Sequence, residues 1–156
     1  SDGEAFDQAA ARIRSIAAVH DVLATRSGGR VPADELLAAV VAAADPDGTL
    51  LDIAPVDLAF QQAQHVGVVV NELVANAHRH GTPPVTVTLA ALDPGQLRLV
   101  VADGGPGVDA QAWASPGLGL RLVRQVVTQG LGGTLECETG AVVVCFRVGD
   151  DANPGR

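Results

Sequence analysis

The sequence predicts an α+β fold in two layers: a mixed, mostly antiparallel sheet covered by helices on one face, plus a long helix at the N-terminus. Two observations carry this. Apolar residues recur at helical spacing through the first half of the chain, and alternating strand-like runs fill most of the second. The size agrees, since 156 residues with 47% hydrophobic content are enough for one core of ordinary dimensions.

Residues Glu4 to about Arg26 read as the first helix, with Phe6, Ala9, Ile13, Ile16, Ala17, Val19 and Leu23 as its apolar stripe and Arg12, Arg14 and Asp21 off it. At ~1.5 Å per residue this is a rod of roughly 34 Å, long enough to pack against a partner helix. Ser27-Gly28-Gly29 ends it, and Pro32 introduces a second helix over Ala33–Ala44. Asp45-Pro46-Asp47-Gly48 is turn chemistry before a short strand, Thr49–Ile53. A third helix is expected from about Asp57 to Arg79, stopped by Gly81-Thr82-Pro83-Pro84. Val85–Leu92 and Gln96–Ala102 form a hairpin through Asp93-Pro94-Gly95. After a glycine-rich loop from Asp103 to Gly117, Leu118–Gln129 is helical. Thr134–Glu138 and Ala141–Val148 then close the sheet, and the polar tail 149–156 reads as disordered.

Composition excludes several kinds of chemistry. Every one of the 10 basic residues is arginine. Without lysine there is no standard Walker A loop, no Ser-x-x-Lys nucleophile and no pyridoxal Schiff base. A net charge of −8 and only 3% aromatic residues argue against a nucleic-acid partner. Cys137 and Cys145, on apolar runs without a nearby histidine pair, read as a reduced, buried pair rather than a zinc site. No apolar run approaches the ~18 residues of a membrane span, so no direct membrane insertion is expected of this segment, and a cytoplasmic setting is. The start at Ser1 and the lack of methionine read as a piece of something longer.

Three segments carry polar residues that a core does not require. In Asn71-Glu72-Leu73-Val74-Ala75-Asn76-Ala77-His78-Arg79-His80, helical spacing puts Glu72, Asn76, Arg79 and His80 on one face. A carboxylate and an amide oxygen so placed suit a hard divalent cation or the water around it, and a guanidinium one turn on suits a phosphate. A plain solvated helix face would look similar. Asp103-Gly104-Gly105-Pro106-Gly107 follows an apolar strand; aspartate there can accept from an exocyclic amine, and the glycines admit a flat ring, although a connecting turn is also a sufficient reading. Pro116-Gly117-Leu118-Gly119-Leu120 opens a helix whose free N–H groups favour an anion, or simply close packing at the helix entry.

In this order, E-x-x-x-N on a helix, D-x-G-x-G after a strand and G-L-G-L before a helix resemble the N box and two glycine boxes of the GHKL ATPase superfamily, over about Asp57 to Val148. That resemblance implies its Bergerat-type ATP-binding fold. Gly-Leu-Gly-Leu-Arg-Leu-Val from Gly117 and Leu-Gly-Gly-Thr-Leu-Glu from Leu131 look like sensor histidine kinases. Arg12–Leu23 is similar to the second dimerisation helix of one histidine-kinase group, which carries Asn-Glu-Leu-Val-x-Asn-Ala as here. The implied division is residues 1–29 as that helix, 30–148 as the catalytic domain and 149–156 as the tail.

The resemblance implies ATP and Mg2+ as cofactors, with Asn76 and Glu72 at the metal and Glu72 also at the position of a water-activating base. Asp103 would take the adenine amino group, in a pocket shaped by Gly105 and Gly107. Gly117, Leu118, Gly119 and Leu120 would cradle phosphates, with Arg79 and His80 close by on the third helix. Trp113, in a short lid from 108 to 116, would cap the nucleotide or shield a hydrophobic edge. The implied partners are a response-regulator receiver domain and a second copy through the N-terminal helix in the full-length protein. His20-Asp21 has the look of a phosphoacceptor, but Ala24 stands where threonine or asparagine is usual and Thr25 falls one place late. The acceptor is therefore expected upstream of Ser1. His65 and His78 read as ordinary helix-surface residues. An anti-sigma-type serine kinase, a non-catalytic nucleotide-sensing module and a gyrase-like ATPase are the alternatives.

Overall fold

The computed structural model describes residues 2–24, 29–44, 48–92, 95–104, 118–138 and 140–149. Four α-helices are described: α1 (Asp2–Ala24), α2 (Ala33–Ala44), α3 (Phe60–His80) and α4 (Leu118–Gln125). The strands are β1 (Arg30–Pro32), β2 (Thr49–Ile53), β3 (Asp57–Ala59), β4 (Val85–Ala91), β5 (Gln96–Ala102), β6 (Thr134–Glu138) and β7 (Ala141–Arg147).

Five strands form the main sheet in the order β2-β4-β5-β7-β6. β2 runs parallel to β4, with Leu51 opposite Val87, and every other pair is antiparallel. A parallel pair needs a crossover, and β3 with α3 supplies it. Alternation along β4 and β5 sends Val85, Val87, Leu89, Leu97, Leu99 and Val101 to the helix-covered face. Val144 and Phe146 join them from β7. The architecture is thus the expected α+β arrangement of a mixed, mostly antiparallel sheet packed against helices.

α3 is the central helix, in contact with α1, α2, α4 and the sheet. Every residue from Val69 to Val74 is buried, which a helix packed on one side only would not permit. The outer helix α1 divides into two parts. Val19 and Leu23 enter the core against α2 and α3, whereas Phe6, Ile13 and Ile16 are exposed, so only the C-terminal part of the expected stripe is covered in this chain.

Several boundaries differ from expectation. α3 begins at Phe60, because Asp57–Ala59 pairs with Arg30–Pro32 as a two-stranded ribbon and Ala59 is extended. α2 spans Ala33–Ala44 as expected, and the difference before it is that Arg30–Pro32 is a strand. The helix from Leu118 is α-helical only to Gln125 and continues as a π-helical turn over Val126–Gly130. The two cysteines do not form a buried pair: Cys145 is half-buried, and Cys137 is exposed. The cause is position, since β6 is the edge strand, where Arg124, Thr128, Leu135 and Cys137 line an open groove.

Candidate functional site

Glu72 and Asn76 lie in the enclosed stretch of α3, and both are buried. A carboxylate removed from water costs several kcal/mol unless a positive group meets it. Here Arg12 of α1 does so, its Nε donating to Glu72 Oε1 at 2.5 Å across 60 residues of sequence. That hydrogen bond raises the Arg12 pKa, outweighing the opposite effect of burial, and the carboxylate's charge adds to the rise. Asn76 is held at one end only. Its Oδ1 accepts from Arg79 Nη1 at 3.3 Å, while its buried Nδ2 has no partner among the described residues. Asn71 Oδ1, one residue before Glu72, is likewise buried and unpaired among them. Such orphans cost about 1–3 kcal/mol each and suit a polar ligand or ordered water.

The second part of the site lies at the end of α3. Gly81 closes the helix, its N–H donating to Ala77 O at 2.8 Å. Its bare Cα admits the Asp103 carboxylate, because a Cβ at 81 would come within 2.5 Å of Asp103 Cγ and 2.6 Å of Ala77 O. Asp103 Oδ1 accepts from the Thr82 N–H at 3.4 Å, Gly104 N–H donates to Thr82 O, and Asp103 N–H donates to Gly140 O. The aspartate at the end of β5 is therefore fixed against the last turn of α3, one turn beyond Asn76. His78, Arg79 and His80 occupy that turn, which favours cations.

The expected polar face thus runs from a buried middle, Glu72 and Asn76, to an exposed end, Arg79 and His80. Leu118 and Gly119 open α4, which packs on α3, and Leu120 is buried. Gly105, Gly107, Gly117 and the lid with Trp113 lie outside the described residues. Among those described, no three His, Cys, Asp or Glu side chains gather as a metal cage. Glu72 and Asn76 instead fit Mg2+, which takes one or two protein oxygens and leaves the rest to water and phosphate. The orphaned Asn76 amide supports that fit, as a donor for a metal-bound water or phosphate oxygen.

Sequence reasoning missed Arg12. A signal existed: Arg12, Val19 and Leu23 fall at i, i+7 and i+11, so the arginine lies in line with the two α1 residues that enter the core. His65 is also not a plain surface residue. Its ring lies where a Cβ on Gly130 would approach to 2.9 Å, its buried Nδ1 lacks a partner among the described residues, and burial lowers its pKa. His78 is exposed and shares a 2.9 Å hydrogen bond with Thr49 Oγ1. His20 is exposed on α1.

Comparison with known proteins follows the same outline. Residues 61–151, more than half of the chain, match the family model described as histidine kinase-, DNA gyrase B- and HSP90-like ATPase. Blue-light-activated histidine kinase 2 of Erythrobacter litoralis is 35% identical over 92 residues, which is 54% of this chain and 26% of that protein. The chain therefore spans about a quarter of this relative's length. The histidine kinase domain of the Erythrobacter litoralis EL346 blue-light-activated kinase superposes with a TM-score of 0.74 at 23% identity, covering 90% of this chain and 75% of that one. The mycobacterial sensor histidine kinase MprB gives 0.60 at 25%, covering 76% and 96%.

Proposed function

We propose that this chain, which belongs to the histidine kinase-, DNA gyrase B- and HSP90-like ATPase family, is the catalytic domain of a sensor histidine kinase, with residues 1–29 as one helix of its dimerisation hairpin. ATP is the nucleotide that family membership implies. The carrying observation is the buried Glu72–Asn76 pair on α3, set one turn from an aspartate held against the bare Gly81.

In this reading Asp103 accepts a hydrogen bond from the adenine amino group, and the tight Gly81–Asp103 contact keeps the carboxylate in place. Asn76 and Glu72 hold Mg2+, which supplies charge neutralisation across the phosphates. Arg79 turns from Asn76 Oδ1 to a phosphate oxygen, and His80 lies beside it. Gly117 and the backbone amides of Leu118 to Leu120, the residues that open α4, meet the phosphates as a helix N-terminus does. Glu72 is the residue closest to chemistry. The γ-phosphoryl passes in line to a histidine imidazole: the bond from phosphorus to the bridging oxygen breaks, one to the ring nitrogen forms, and ADP leaves. The acceptor lies upstream of Ser1, and a receiver-domain aspartate in a response regulator takes the group next. No described helix is long and apolar enough to cross a membrane, and we place the domain in the cytoplasm.

Calorimetry with a non-hydrolysable ATP analogue and Mg2+ tests this. The wild type should bind, Asn76→Ala and Asp103→Asn should each lose at least tenfold, and the chain alone should not label itself from ATP. No binding at millimolar analogue would indicate a non-catalytic module. Stable phosphate on His20 would overturn the upstream acceptor. Phosphorylation of a serine on a small antagonist protein would point to the anti-sigma type.

A further inference from the structure

The Arg12–Glu72 pair joins two parts of the molecule that are otherwise secured differently. The C-terminal part of α1 is anchored: Val19 and Leu23 are in the core, and Val19 rests on α3 where Gly67 has no side chain. The N-terminal part exposes Phe6, Ile13 and Ile16. Arg12, in this outer part, sits nearly two turns before Val19 and ties it to the centre of α3. The carboxylate it meets is the more enclosed partner, with a side-chain exposure of 8% against 23% for Arg12.

A buried carboxylate needs one positive partner, and two cations crowded on it in a poorly screened site repel each other. Arginine cannot relieve that repulsion by losing its proton. It can leave, because its stem is on the outer helix and partly in water. We propose that Arg12 is a resident counter-ion of Glu72, displaced by magnesium–nucleotide, so that metal at Glu72 and docking of the N-terminal part of α1 exclude each other. This rests on the reading of Glu72 and Asn76 as metal-facing residues. Arg12 is then a positioning residue acting through Glu72, and the coupling is reciprocal. Whatever presses the outer part of α1 onto α3 weakens metal–nucleotide binding, and metal–nucleotide loosens that part of α1.

The test compares wild type, Arg12→Gln and Arg12→Lys, with circular dichroism confirming the fold of each. Glutamine can still donate a hydrogen bond to the carboxylate but carries no charge. Binding of a non-hydrolysable ATP analogue is titrated with Mg2+, and hydrogen exchange is followed over residues 4–24. Arg12→Gln should half-saturate at about tenfold lower Mg2+, and Arg12→Lys should stay near wild type. In the wild type, Mg2+ plus analogue should speed exchange from Phe6 to Ile16 while Val19–Leu23 stay protected, and analogue without Mg2+ should not. Equal Mg2+ midpoints in wild type and Arg12→Gln, or weaker binding by a folded Arg12→Gln, would overturn the exclusion and leave the nucleotide site standing. Failure of all three proteins to bind at millimolar analogue would overturn both.

Discussion

Gly67 on α3 is the point at which the docking of α1 can be measured. A Cβ built there lies 2.5 Å from Val19 Cγ2 and 3.6 Å from Val40 Cγ2. Carbon atoms settle at about 3.5–4.0 Å, so Gly67→Ala must push Val19 back by roughly 1 Å. Val19 cannot simply rotate aside, because a β-branched side chain in a helix is confined to one χ1 well. The helix α1 has to move instead. Overpacking of this kind costs about 1–3 kcal/mol, whereas alanine in a helix interior gains about 1 kcal/mol over glycine. The expected net is a loss of about 1 kcal/mol, or a fall in Tm of roughly 2–4 °C. In a Val19→Ala background the obstructing methyl is absent, and the same substitution should stabilise by about 1 kcal/mol. A double-mutant cycle followed by denaturant unfolding should therefore give a coupling of about 2 kcal/mol. Identical effects of Gly67→Ala in both backgrounds would mean that α1 does not lie on α3 at this point, and the Arg12 contact would lose its support.

Three further outcomes follow from the same geometry. Gly81→Ala should weaken ATP-analogue binding more than tenfold, because Ala77 O at 2.6 Å is backbone and cannot yield, so Asp103 must be displaced; calorimetry reads this. His65 has a lowered pKa in the fold, so the unfolded chain takes up its proton first as pH falls. The stability His65 contributes is present above the unfolded value near 6.5 and lost as pH drops below it, and His65→Gln should flatten that part of a stability–pH profile. Arg12→Gln should destabilise by about 1–3 kcal/mol and Glu72→Gln by less than about 1 kcal/mol, since the first leaves a nearly buried carboxylate without a counter-charge and the second leaves a guanidinium that can reach water. Reversal of that order in urea unfolding would contradict the burial described.

Legibility in the sequence depended on how local the determinant is. The hairpin of β4 and β5 was readable because each strand sets alternate residues on the core, and a period of two needs no distant information. The ribbon of β1 and β3 was not, since three residues carry no period and Asp57–Ala59 is extended only because Arg30–Pro32 lies opposite. The π-helical turn was invisible for a similar reason. Its Gly130 faces the His65 ring, a neighbour 65 positions back in the chain. The two cysteines were misjudged because apolar neighbours in sequence do not reveal an edge strand. Glu72, Asn76 and Asp103 were singled out by local patterns in the sequence, and the fold brings Asp103 against the end of the helix that carries the other two. Asn71, in the same motif, stood out only once all sides of α3 were seen to be enclosed.

Arg12 shows what a local pattern leaves out, and the lysine-free composition gives it a consequence. Glu72 and Asn76 each face a guanidinium, Arg12 on one and Arg79 on the other. Arginine keeps its charge throughout, so both groups must physically move before a divalent ion can share their partners. Arg79 has a short path, because it is exposed at the end of α3 and a phosphate arrives with the ion. Arg12, only partly in water, ties the outer part of α1 to α3, so its withdrawal loosens that part. Metal binding is thereby linked to the helix that carries the exposed Phe6, Ile13 and Ile16, and the link is a displacement of charge with no titration in it.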